Sequence, residues 1–360
     1  MHSPRIEADK PSEVKAGEEI NLENLNHYLG SKLDDFPEIT GVLQFGGGYS
    51  NLTYLLKAGD REFVLRRPPF GAGEIKGGHD MQREYSILDR LRKAGFGKIP
   101  ETIIFCDEEQ VIGSPFYVMS KISGLILRTS QTTKIRESFG QDAMNRLSKS
   151  LCSNLAALHK IDIQSTGLVN IGKPEGYIKR QVEGWFKRYL ASQTDEIPEI
   201  DSLIKWLETH LPKEMTPALI HNDYKFDNVV FDQDDLSLKA ILDWEMTTVG
   251  DPRMDVGTAL SYWSEKGDGD FEKSFNITWL DGNLTRDGFV DFYQEQNGTD
   301  LGNILYFYIF GLFKNAVVMQ QIYARFRKGL TKDHRFGGLI HGVKRLSEKG
   351  INSIEAGKMQ

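Results

Sequence analysis

Hydrophobic and polar residues follow two regimes along this 360-residue chain: strand-like patterns fill the first third and helical spacing most of the rest. Residues 1–20 are charged and poor in large apolar groups, which predicts a loosely held N-terminal arm. Leu22, Leu25 and Leu29 then recur at helical spacing behind Asn21, a residue type that caps helices. Between residues 42 and 65 the pattern turns to strands, with LTYLL from Leu52, a Gly59–Asp60 turn and EFVLR from Glu62. A glycine-rich stretch over 71–78 leads into a helix over 81–93 with Tyr85, Leu88 and Leu91 on its apolar face, and strands follow over 101–106 and 116–119. After Ser123–Gly124, apolar spacing predicts helices over 147–159, 176–190, 203–210 and 304–326. One strand pair, 228–231 and 238–242, interrupts them around the turn Asp232-Gln-Asp-Asp.

Composition narrows the class without choosing a function. A chain that is 39% hydrophobic and 26% charged is neither disordered nor fibrous, and its length calls for two lobes rather than one core. A net charge of −7 argues against a general nucleic-acid or anionic-membrane binder, which needs clustered basic surface. Cys106 and Cys152 sit among apolar neighbours and cannot build a disulfide framework. With no apolar leader in MHSPRIEADK and no apolar run long enough to span a bilayer, the expectation is a cytoplasmic protein with no membrane partner.

The chemistry concentrates in IHNDYKFDN, residues 220–228, followed by ILDWE, residues 241–245. Asp223 and Asn228 have the spacing of an H-x-D-x-x-x-x-N loop, which offers a carboxylate for an attacking hydroxyl at one end and a metal-binding amide at the other. Antiparallel pairing of the strands that follow brings Asn228 beside Asp243, so two hard oxygen ligands for magnesium should converge. Singly, His221 reads as well as a packed core histidine and the acids as turn residues; the set at this spacing does not.

Upstream, FGGGYSN sets Gly47, Gly48, Ser50 and Asn51 between two strands, where backbone N–H groups can approach phosphate oxygens. A Gly-rich hairpin turn explains the same letters about equally well. Arg66 on the next strand and Glu84 on the next helix have the order of a phosphate-contacting cation and the acid that holds it, although each alone reads as an ordinary surface charge. Asp255, in GDPRMD, is a candidate brace for the catalytic loop or an N-cap for a helix over 256–263.

HNDYKFDNVVFD, ILDWEMTTVGDP and VLRRPP resemble the aminoglycoside phosphotransferase-like kinases, and EGYIKRQVEGW with FYIFGLFKNAVVMQQIYARF resembles the branch found as a kinase domain ahead of acyl-CoA dehydrogenase. The likeness runs from about residue 25 to 345. It implies an α+β, protein-kinase-like bilobal fold: an N-lobe over 21–119 with the glycine loop, a hinge over 120–123, and a mainly helical C-lobe over 124–360. It implies Asp223 as catalytic base or hydroxyl-orienting group and Asn228 with Asp243 as magnesium ligands. Arg66 would stand for the usual strand lysine and pair with Glu84, and hinge backbone around Met119, Ser120 and Ile122 would meet the adenine of ATP or GTP. Two positions depart from the family pattern: Asn222 stands where Gly is common, and Tyr49 where Gln is common.

The function expected is therefore transfer of the γ-phosphate of ATP or GTP to a small-molecule hydroxyl. Branch likeness points to a hydroxy acid or hydroxyacyl-CoA acceptor, and the segment over 173–190 is net basic, which suits an anion. Arg180, Trp185 and Tyr262 are candidate acceptor contacts. The alternatives are an aminoglycoside or other small amine-alcohol kinase, and a non-catalytic nucleotide-binding pseudokinase. A protein kinase is disfavoured, because Gly250-Asp-Pro follows Asp243 too soon for an activation loop.

Overall fold

The short apolar runs after residue 40 form strands. In the computed structural model, which describes residues 6, 10–46, 51–69, 80–331 and 333–360, they build a five-stranded antiparallel sheet. Its strands are β1 (Gly41–Gln44), β2 (Leu52–Ala58), β3 (Arg61–Arg67), β4 (Thr102–Cys106) and β5 (Phe116–Ser120), in the order β1-β2-β3-β5-β4. Central β3 pairs Arg66 with Thr53 on one side and Tyr117 on the other. Tyr54, Leu56, Leu65, Phe116 and Val118 fill the core beneath the sheet, and the helix Leu22–Lys32 closes it with Leu25 and Leu29. The expected glycine loop at Gly47, Gly48, Tyr49 and Ser50, the segment 71–78 and most of residues 1–9 lie outside the described residues.

Two expectations are corrected. Residues 10–20 are not a loose arm, because Ser12 and Gln44 exchange backbone hydrogen bonds of 2.9 and 2.8 Å and the Tyr54 hydroxyl donates to the Glu18 carbonyl. The hairpin of β7 (Val229–Phe231) and β8 (Leu238–Ile241) belongs with the sheet rather than with the helices. Phe231 and Leu125 exchange two backbone hydrogen bonds of 2.8 Å, and the Ile241 N–H donates to the Lys98 carbonyl. The first unit is therefore Met1–Ile126 plus Asn228–Met246.

The second unit, Leu127–Asp227 plus Thr247–Gln360, is mainly helical. Its short ladder of β6 (Ala218–Ile220) and β9 (Thr248–Gly250) carries the loop that begins at His221. The helices Pro252–Tyr262 and Ile304–Arg327 cross at two glycines. A Cβ on Gly257 would lie 2.3 Å from the Phe307 carbonyl oxygen, and one on Gly311 would lie 2.6 Å from that of Gly257. Only bare backbone permits that approach. Asp255 and Lys314 stand two and three residues from this crossing, and both reach the 221–223 loop. No helix of the described residues is long and apolar enough to cross a membrane.

Candidate active site

The first unit gathers charge around Arg66. Its Nη1 lies 3.1 Å from Glu84 Oε1, and its Nη2 lies 3.0 Å from Asp243 Oδ1 and 3.5 Å from Glu245 Oε2. Strand alternation puts Arg66 on this face, while Asp80 caps the helix Met81–Lys93 so that Glu84 lies in its first turn. Asn51 Nδ2 donates to Glu245 Oε2 at 2.8 Å. Burial works against the Arg66 charge, but Glu84, Tyr117, Asp243 and Glu245 outweigh it and push its pKa well above the ordinary arginine value. Burial likewise pushes the Glu84 carboxyl up, with Arg66 opposing.

Three carboxylates share one guanidinium here, and buried charge left unbalanced is costly. A divalent cation suits that excess. Leu242 N–H donates to the Asn228 carbonyl, so the ladder sets Asn228 next to the Leu242–Asp243 link. Asp243 has φ +65°, a left-handed conformation that Asp tolerates better than most residues and that turns the chain sharply after β8. No cluster of three or more His, Cys, Asp or Glu is poised for a metal among the described residues. One carboxylate and one amide fit magnesium, which keeps few protein ligands and takes the rest from phosphates and water.

Arg66→Lys tests the fork. A lysine ammonium cannot offer Glu84 and Asp243 separate, fixed nitrogens. The variant is expected to lose about 1.5–3 kcal/mol of unfolding free energy in urea titrations, the worth of one charge-assisted hydrogen bond. An unchanged midpoint would show that the fork is dispensable.

Met119 and Ser120 end β5, and the Ser120 N–H is taken by the Glu101 carbonyl at 2.8 Å. Among the described residues the Ile122 N–H makes no backbone hydrogen bond of this kind, so of the two it is the available donor.

In the second unit the loop after β6 is held from behind. Asp255 Oδ2 accepts from the His221 N–H at 2.6 Å and Oδ1 from the Asn222 N–H at 2.8 Å. His159 Nε2 lies 3.1 Å from Asp255 Oδ2, and its Nδ1 lies 2.6 Å from the Tyr293 hydroxyl. The tautomer that satisfies all of them donates from Nε2 to Asp255 and accepts from Tyr293 at Nδ1. Burial alone would raise the Asp255 carboxyl, yet His159, His221 and the loop amide hold it below the usual range. Asn222 has φ +67°, which explains why an asparagine stands where glycine is common: both residue types accept the left-handed region.

Asp223 follows with Lys225 Nζ 3.1 Å from its Oδ1. Tyr262 hydrogen-bonds Asp223, and burial together with that carboxylate pushes the phenol up. Lys225 also stands 4.7 Å from the Tyr262 ring centre. Burial pushes Asp223 up, but Lys225, Lys314 and His221 overcome it and keep its pKa low, so the group is ionised at neutral pH.

The second unit thus joins Asp223, His221, Asp255 and Tyr262, and the first joins Asn51, Arg66, Glu84 and Asp243, with Asn228 beside them in the ladder. Arg180 is not brought to this loop. It is exposed and donates to the carbonyls of Lys173 and Glu175, closing the start of its own helix, Tyr177–Ser192. Trp185 is buried, with Lys314 Nζ 5.8 Å and the Arg188 guanidinium 4.7 Å from its ring centre. Glu245, Lys225, His159, Lys314 and Tyr177, whose hydroxyl accepts from Asn222 Nδ2 at 3.3 Å, are not among the site residues expected from the sequence. Glu245 and Lys225 lay inside motifs already noted, and Lys314 is a lone cation in an apolar helix, itself a signal.

A β-rich N-lobe and a helical C-lobe with these two clusters define a protein-kinase-like fold of the small-molecule type. The chain belongs to the family described as "Phosphotransferase enzyme family", whose profile matches residues 41–292. It is 32% identical over 94% of its length to acyl-CoA dehydrogenase family member 11 of Gallus gallus. It spans only 44% of that protein, less than half the relative's length. A Ralstonia eutropha structure assigned as an aminoglycoside phosphotransferase superposes with a TM-score of 0.80 at 28% identity, covering 94% of this chain and 99% of that one. Choline kinase from Cryptosporidium parvum shares the fold, with a TM-score of 0.64 at 13% identity over 94% of this chain and 97% of that one.

Proposed function

We propose that this chain is a magnesium-dependent kinase that moves the γ-phosphate of ATP or GTP to the hydroxyl of a small hydroxy acid or hydroxyacyl-CoA. The observation that carries the reading is Asp223: a half-buried carboxylate kept ionised by the lysines around it, on a loop whose backbone is fixed by Asp255.

Asp223 accepts a hydrogen bond from the acceptor hydroxyl and aims its lone pair at phosphorus. Its low pKa makes it a poor base early in the reaction, so it orients the hydroxyl first and receives the proton late, as the new O–P bond forms. That order suits the loose transition states of phosphoryl transfer. Lys225 holds one oxygen of the carboxylate, which limits its rotation. Asn228 and Asp243 would hold magnesium, which supplies charge neutralisation for the phosphates. Arg66, fixed by Glu84, faces the α/β-phosphates, and the Ile122 N–H together with Ser120 backbone meets the base.

The test is magnesium-dependent consumption of ATP and of GTP against hydroxy acids, their CoA thioesters, choline-like amines and aminoglycosides. Turnover with the acids or thioesters is expected. Turnover with amines alone would overturn the acceptor class, and failure to bind either nucleotide would sink the kinase reading.

A further inference from the structure

Lys314 is hard to explain as part of the core. It lies in the helix Ile304–Arg327 among Phe310, Leu312, Phe313, Ala316 and Val317 and is 5% exposed. Its Nζ donates to the Asn222 carbonyl at 2.6 Å. Among the described residues no Asp or Glu lies within ion-pair distance of it. The acids nearest in effect, Asp223 and Asp255, already have partners in Lys225 and in His159 with the loop amides, while Lys225 and Arg188 repel it. Burial therefore pulls the amine down to about 8, and an ammonium with one backbone acceptor is left at neutral pH.

A brace for the Asn222 carbonyl needs no charge. The same helix shows the neutral solution: Gln320 Nε2 donates to the Ser192 carbonyl at 2.7 Å and to Thr194 Oγ1 at 2.9 Å. An ammonium offers three donors where one would serve a brace, and its burial with no carboxylate at ion-pair distance is costly. The missing partner is therefore an anion, and its position is fixed by the chain. The carbonyl that Lys314 holds belongs to the residue before Asp223, about 3.8 Å away from Cα to Cα. Trp185 adds an apolar wall beside Nζ.

We propose that Lys314 is the specificity-determining cation of the acceptor site, receiving an anionic oxygen group of the alcohol whose hydroxyl Asp223 orients. The inference rests on the kinase reading for that hydroxyl, but the anion site stands on its own geometry. The anionic oxygen comes from one of two sources, the carboxylate of a free hydroxy acid or a phosphate of its CoA thioester. In a free acid the hydroxyl lies a few carbons from the carboxylate held at Lys314, whereas in a thioester the pantetheine arm separates the phosphates from the acyl chain and must fold back to bring both groups to the site. In either case a cationic alcohol is excluded.

Calorimetric binding tests this without requiring turnover. The probes are hydroxyalkanoates of four to ten carbons, their CoA thioesters and their neutral methyl esters, titrated into the wild-type chain, Lys314→Gln and Lys314→Arg. The wild type is expected to bind at least one anionic form ten or more times more tightly than the ester. Lys314→Gln, which can still brace the Asn222 carbonyl, should reduce that preference to within about twofold, and Lys314→Arg should keep most of it. Whichever anionic form binds names the source. Equal binding of acid, thioester and ester by the wild type would overturn the proposal, as would a preference that survives in Lys314→Gln. Nucleotide consumption on the same probes reports the kinase reading separately, so anion binding without turnover would leave Lys314 in its role and remove the reaction.

Discussion

Asp223→Asn is expected to lower kcat by roughly 10²–10⁴-fold while changing nucleotide affinity little. Asparagine keeps the size of the side chain and a hydrogen-bonding oxygen, so the acceptor hydroxyl can still be approached. What it loses is the negative charge that Lys225 pairs with at 3.1 Å and the ability to take up the proton. Nothing in that change touches Arg66, Glu84 or Asp243, whose cluster is assembled entirely within the first unit. Loss should therefore appear in single-turnover rates and not in nucleotide titrations. The pH profile gives an independent check. Because Lys225, Lys314 and His221 keep the Asp223 carboxyl below its ordinary value despite burial, it protonates only in acid, and kcat should stay flat from neutral pH down to about 5. A loss smaller than tenfold in the variant would mean that another group handles the hydroxyl.

The fold class was legible because its signals are local. Runs such as LTYLL and EFVLR are apolar stretches of strand length on either side of the Gly59–Asp60 turn, and their observed spans, Leu52–Ala58 and Arg61–Arg67, extend only a residue or two beyond the expected ones. The helix Ile304–Arg327 likewise matches its apolar spacing almost to the residue. The ladder of Ala218–Ile220 with Thr248–Gly250 escaped because three-residue runs are too short to show a period. The helix Leu339–Ala356 escaped with it, since Gly342 and Gly350 interrupt the apolar stripe of Ile340, Val343 and Leu346. Those glycines serve packing: a Cβ on Gly342 would lie 2.6 Å from the Phe271 ring and one on Gly350 2.8 Å from Leu203.

For the candidate site the division is between groups that share a motif and groups that arrive from afar. Asp223, Asn228 and Asp243 are readable because one loop and one hairpin must carry them. Lys314 reaches Asn222 across 92 residues of sequence, and His159 reaches Asp255 across 96. No local pattern encodes either meeting. It is set by the Gly257–Gly311 crossing and by the packing of the helix Gln141–His159 in the same unit. The basic segment before Leu190 spends part of its charge locally: Arg180 closes its own helix and Lys179 faces Glu183 at 3.8 Å, while Arg188 lies over the Trp185 ring.

Asp255→Asn should be the most damaging substitution outside the reacting groups, lowering unfolding free energy by about 3–5 kcal/mol and activity with it. Both carboxylate oxygens face donors: the His221 and Asn222 amides and His159 Nε2. An asparagine can present one oxygen, and its NH2 must then point at an N–H, leaving a buried donor opposed and another unsatisfied. The loop carrying Asp223 would lose its fixed backbone, so kcat should fall even in protein that remains folded at 25 °C. Tyr293→Phe provides a milder step. It removes only the hydroxyl on the far side of His159 and should cost about 1 kcal/mol with little effect on kcat. The pH dependence follows from the depressed Asp255 pKa. A carboxyl that titrates lower in the folded chain than in the unfolded one stabilises the fold fully above the unfolded value of about 3.9. That stabilisation is lost as pH falls further toward the folded value. The gap between wild type and Asp255→Asn in urea midpoints should therefore be constant from pH 5 to 8 and narrow below about 4. A gap that widened in acid would contradict an ionised Asp255 as the brace.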